Sequence, residues 1–151
     1  MSARTLSYLS RLAAGFALAL LIASSAAAAE PASGTRTVLS TGTTVTNEPI
    51  RYPTGAAARI NAVEITLAPG QQTGWHTHPV PLFGYILEGE LTVDYGALGK
   101  RTFRKGDALV EAMNEAHNGR NTGEGPLKIL AVFVGAEGVP DTSSASPPPR
   151  Q

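Results

Sequence analysis

The sequence predicts a single all-β domain, a sandwich or barrel built from many short strands. Short apolar stretches rich in β-branched residues recur along the chain, with turn-forming residues between them at close spacing. After the N-terminal region no stretch keeps a helical period with caps at its ends. The chain has 151 residues, and the part expected to fold suits one core and is too short for two.

The first element is not part of that fold. Arg4 and Arg11 precede an uncharged apolar run from Leu12 to Ala23, and small residues follow through Ala29. A basic region, an apolar core and a small-residue cleavage site in that order make residues 1–29 a secretory signal peptide. The run is shorter and richer in alanine than a membrane anchor requires. No paired arginines precede it, so general secretion of an unfolded chain is expected, to the periplasm or the medium. Residues 30–36 read as a flexible segment, 37–138 as the barrel, and 139–151 as a disordered Ser/Pro-rich tail.

Within the barrel, Ile60–Leu67 is a strand stopped by Ala68-Pro69-Gly70. Phe83–Leu87 and Leu91–Tyr95 flank Glu88-Gly89-Glu90 and read as a hairpin around a glycine turn. Thr102–Arg104 leads through the turn Lys105-Gly106-Asp107 into Ala108–Ala112. Leu127–Val134 closes the series as the most apolar strand.

Composition excludes several function classes. Removing Arg4 and Arg11 from the 12 basic residues leaves 10 against 12 acidic ones, a formal charge of −2. Such a balance offers nothing to nucleic acid and predicts no stable membrane association after signal cleavage. With no cysteine there is no disulfide and no thiolate nucleophile or ligand.

The chain has three histidines: His76 and His78 within Gly74-Trp75-His76-Thr77-His78-Pro79, and His117 within Asn114-Glu115-Ala116-His117. Two residues apart on a strand, His76 and His78 project to one face. A third histidine from a neighbouring strand completes a triangle around a divalent ion, of a kind that suits iron, zinc, nickel and copper, and manganese less well.

These residues resemble the cupin superfamily, in the small single-domain form with a conserved barrel. Gly70, five residues, His76-Thr77-His78 and later Gly89 match the family's first motif. Gly106, then His117 and Asn121, match the second. The resemblance implies a jelly-roll β-barrel, also called a double-stranded β-helix, holding one divalent transition metal on His76, His78 and His117. It also implies a homodimer formed by pairing strands across two barrels, which would cover edge strands.

Two departures stand out. Leu82 occupies the position where the family places its glutamate ligand, and Ala112 and Asn114 replace the proline and glycine of the second motif. A centre without the carboxylate keeps the ion's charge and extra open positions, which favours an anionic or bidentate small-molecule ligand. Glu111 is the candidate for a replacement ligand or for a hydrogen bond to a ligand histidine. Trp75, Leu82 and Phe83 are candidate pocket residues, Tyr85 a candidate proton donor, and Arg120 a candidate contact for an anion, while Asn121 is expected to brace its loop. No catalytic acid or base is identified.

Three functions follow. Three-histidine cupins lacking the acidic ligand resemble iron dioxygenases that take thiols or β-dicarbonyls. Lewis-acid lyase, isomerase or hydrolase chemistry is the second reading. The third is a non-catalytic barrel that binds or senses a metal or small ligand outside the cytoplasm.

Overall fold

The computed structural model describes residues 34–149. The expected signal peptide and most of the 30–36 segment lie outside these residues. The strands are β1 (Ala58–Leu67), β2 (His76–Thr77), β3 (Leu82–Glu88), β4 (Glu90–Asp94), β5 (Lys100–Arg104), β6 (Ala108–Val110), β7 (Asn118–Asn121), β8 (Leu127–Ala136) and β9 (Ser143–Ser144). Among the described residues the helical content is one 3-10 turn, Gly96–Leu98.

One sheet has the order β1-β8-β3-β6 and a second the order β5-β4-β7, all pairs antiparallel. Bridges Gln72↔Arg120 and His76↔His117 lay residues 72–76 alongside β7 and its approach. The second sheet thereby continues into the β2-β9 pair. Two sheets wrapped around one interior form the expected jelly-roll barrel.

Alternation decides which side chains fill it. On β8, Leu127, Ile129, Ala131 and Phe133 are buried and the residues between them are half-buried. Leu67, Ile86, Leu91, Val93, Tyr95, Leu109 and Leu127 pack into one cluster, and Val80, Ala131 and Phe133 into another. Full burial of each large aliphatic chain contributes about 1.5–3 kcal/mol, so these residues supply the apolar driving force of a chain without cross-links.

The hairpin expected around Gly89 does not form. The strands on either side extend to Glu88 and from Glu90, leaving one linking residue, too short for a hairpin turn. Gly89 instead carries the chain from the first sheet to the second. Its φ of 81° suits glycine, and a Cβ there would sit 2.6 Å from the Pro126 carbonyl oxygen. The hairpin the chain does make joins β4 to β5 through the 3-10 turn, where the Asp94 carboxylate accepts from Gly96 N–H at 2.9 Å.

The tail is also more ordered than its composition predicts. Ser143–Ser144 pairs with His76–Thr77, and Ala145 N–H donates to the Trp75 carbonyl at 3.0 Å. The Asp141 carboxylate accepts from Arg59 and from Asn61 Nδ2. Low apolar content is offset here by backbone pairing and by an acid seated between two donors of β1.

Candidate metal centre

His76 and His117 are direct partners across neighbouring segments. Each one's N–H donates to the other's carbonyl at 3.0 Å, the antiparallel pairing that holds Cα atoms about 5.5 Å apart. Their ring centroids are 4.4 Å apart. His78 follows two residues after His76, and its N–H donates to the Met113 carbonyl at 2.9 Å. Its ring centroid lies 4.9 Å from that of His76 and 5.1 Å from that of His117. One nitrogen from each ring falls within 4.8 Å of the others.

All three rings engage a main-chain carbonyl through Nδ1: His76 with Gly74 at 2.7 Å, His78 with Asp141 at 2.8 Å and His117 with Glu115 at 2.8 Å. A carbonyl can only accept, so Nδ1 carries the proton in each ring and Nε2 keeps a free lone pair. For His78 and His117 that Nε2 is buried without a protein partner. Burial pushes all three pKa values down, that of His78 to about 4, and neighbouring imidazoles lower His76 and His78 further. Neutral rings with convergent, unpartnered lone pairs are the donor set of a divalent transition metal. The side chains present therefore fit such an ion.

The loop carrying His117 lacks the expected proline and glycine, and Glu48 holds it instead. The Glu48 carboxylate accepts from Met113 N–H at 2.9 Å, Asn114 N–H at 2.9 Å and Asn114 Nδ2 at 3.1 Å. These bonds, with one from Thr46, outweigh its partial burial and hold the carboxyl below its ordinary pKa. Sequence reasoning missed Glu48, which acts 65 positions away from Met113 and carries no local signature.

The histidines open onto a cavity of about 300 Å³. Leu82, Trp75 and Glu111 line it, together with Leu91, Ile129 and Phe133. Leu82 makes apolar the wall where a cupin glutamate would stand. Glu111 is not within the cluster of ligand atoms and bonds no histidine. Its Oε1 accepts from the Tyr95 hydroxyl at 2.7 Å and from Ala112 N–H at 2.8 Å. Burial raises the Glu111 pKa against the lowering effect of those bonds, and it raises that of Tyr95 as well. Tyr95 was not anticipated as a site residue, since a strand-end tyrosine reads as ordinary packing.

Tyr85 is not a proton donor at this centre. It alternates with Gly84 and Ile86 on β3, and its hydroxyl accepts from Arg36 at 3.4 Å on the outer side. Phe83 shares that outer face, beside Val110 and Val134. Arg120 is exposed on the far side of β7. Asn121 braces its loop: Nδ2 donates to the Leu67 and Gly125 carbonyls at 2.8 and 2.9 Å, and Oδ1 accepts from Gly123 N–H at 2.9 Å.

A jelly-roll barrel with three inward histidines is the arrangement that the cupin resemblance implies. Residues 63–133 match the cupin domain family, so this barrel is a cupin domain. An uncharacterised conserved protein with a double-stranded β-helix domain from Klebsiella pneumoniae is similar at 22% identity and TM-score 0.51, over 66% of this chain and 85% of its own. The DMSP lyase DddQ from Ruegeria pomeroyi is similar at 21% identity and TM-score 0.51, over 60% of this chain and 45% of its own. Both likenesses concern the fold. Oxalate decarboxylase from Lactobacillus farciminis is similar at 29% identity and TM-score 0.48, over 56% of this chain, which spans about a quarter (26%) of that enzyme. No curated protein matches by sequence.

Proposed function

We propose that this protein is an exported cupin that holds one divalent transition metal on His76, His78 and His117 and acts on a small molecule chelated there. The observation that carries this reading is the shared tautomer of the three rings, each with Nδ1 on a carbonyl and Nε2 left for a ligand. A bound ion of this kind supplies Lewis acidity and, where it is redox-active, electron exchange with oxygen.

The chain's own residues narrow the substrate. Leu82, Leu91, Ile129 and Phe133 surround an apolar body and exclude water, in a volume at the lower end for ligand pockets. The absence of a carboxylate at residue 82 favours an anionic head group at the histidines. Glu111, desolvated in the cavity wall beside Leu82, is placed to hold or release a proton. Oxygenase chemistry and Lewis-acid lyase or isomerase chemistry share these features, and the metal separates them. Export through the signal peptide fits a cysteine-free chain, and the exposed Ile60 on β1, at the rim of the first sheet, supports a homodimer through that sheet.

The test is the metal content of protein purified from the exported fraction without added metal or a histidine tag, beside His76→Ala and His117→Ala. One equivalent of a single ion is expected in the parent and none in either variant. Iron points to oxygen chemistry, and zinc or nickel to Lewis-acid chemistry. A parent that neither contains nor takes up an ion overturns the proposal and leaves a metal-free binding barrel.

A further inference from the structure

Residues 139–149 were set apart by composition, yet they touch the histidine centre at several points. The Asp141 carbonyl is the acceptor that fixes the His78 tautomer, and the Thr142 hydroxyl lies 3.3 Å from the same Nδ1. Thr142 and Ser144 line the cavity. Ser144 pairs in register with His76, and Ala145 N–H donates to the carbonyl of Trp75, the residue before it. Farther along, Pro148 packs against Gly96, where a Cβ would meet Pro148 Cγ at 2.3 Å.

A clamp on β1 holds the start of this segment. Arg59, Asn61, Val63 and Ile65 share one face of the strand by the period of two. The last two pack against the core, and the first two reach Asp141. Asp141 is mostly buried, with 17% side-chain exposure, and both its carboxylate oxygens are engaged. Arg59 also donates to the Val139 carbonyl at 3.3 Å. The carboxylate is therefore fixed from two sides, and its own backbone carbonyl is delivered to the His78 ring.

We propose that the segment Asp141–Ala145 is a built part of the histidine centre: a strap, latched to β1 by Arg59 and Asn61, that positions His78 and forms one side of the cavity mouth. Arg59, Asn61 and Asp141 are positioning residues. They touch no ligand atom and act through the His78 ring, whose Nε2 is available only while Nδ1 keeps its proton on the Asp141 carbonyl. The consequence for metal affinity rests on the metal reading above. The control of the His78 tautomer does not.

The experiment uses the full chain in three forms: the parent, Asp141→Ala, and the double variant Arg59→Met/Asn61→Leu, which leaves every strap residue intact. Proton–nitrogen correlation spectra of the metal-free proteins, taken above the titration range of the rings, resolve three imidazoles. All three are expected as single Nδ1–H tautomers in the parent. In both variants His78 becomes a mixture of tautomers, while His76 and His117, whose carbonyl partners lie outside the strap, stay as they were and report an intact barrel. The zinc dissociation constant is expected to rise about 10–100-fold in both variants, the usual effect of removing an outer partner of a ligand histidine. An unchanged His78 tautomer in either variant overturns the strap, whatever the zinc result. The expected tautomer change in a protein that binds no zinc upholds the strap and overturns the metal reading instead.

Discussion

Among the described residues, the buried polar centres around Asn121, Glu111 and the histidines differ in how completely the protein satisfies them. Asn121 spends both amide hydrogens and its oxygen on main-chain groups. Glu111 and Tyr95 answer one another, with Ala112 N–H completing the pair. The histidines are half-answered: each ring has one nitrogen tied to the backbone, and in His78 and His117 the other is buried with nothing opposite. A closed centre contributes to stability. An open one costs stability unless something outside the chain completes it, so incompleteness distinguishes the ligand site from the braces around it.

The sharpest way to separate the open centre from the closed ones is acid. The His78 pKa is depressed from 6.5 to about 4 by burial. The unfolded chain therefore takes up this proton first as pH falls. The stability from His78 is full above about pH 6.5 and drains as pH drops toward 4, on the order of 3 kcal/mol for this ring. Urea midpoints of the metal-free protein across that range should show the slope, and His78→Gln should reduce it, leaving the part that His76 and His117 contribute. A parent with no slope would mean that the ring is not held neutral by the fold.

Breaking a closed centre is of comparable size. Glu111→Leu leaves the Tyr95 hydroxyl and Ala112 N–H without their acceptor, a loss of about 1–3 kcal/mol for each buried group left unmet. Glu111→Gln retains an oxygen for both and should cost much less. Equal stability of the two variants in denaturant titrations would show that the centre is not closed by these bonds. The smallest effect belongs to the outer face: Tyr85→Phe should shift stability by no more than about 0.5 kcal/mol and leave the metal content of the protein unchanged.

Much of this was legible in the residues. The short apolar stretches set off by closely spaced turn residues and the spacing of the three histidines pointed to a barrel and to one cluster, because strand, turn and motif signals are local properties. Leu82 read as a site candidate from its offset in the first motif, and Glu111 from its place on the strand leading into the His117 loop. What the sequence hid was nonlocal. Glu48 and Asp141 act through partners far along the chain, and neither has neighbours that mark it. The Gly89 corner looked like a hairpin because glycine between two strands signals a turn without saying which strands then pair. The tail looked disordered because composition counts apolar side chains and not the backbone bonds a segment gains by lying along another strand.

The pairing of His78 with Asp141 spans 63 positions, which gives the centre an order of assembly. The two histidines of the first motif emerge from synthesis well before Asp141, whose carbonyl orients His78. A nascent chain thus carries its first two histidines before the carbonyl that sets the His78 ring is available. The orientation of His78 is therefore complete only once residues 141–145 have paired with β1 and β2.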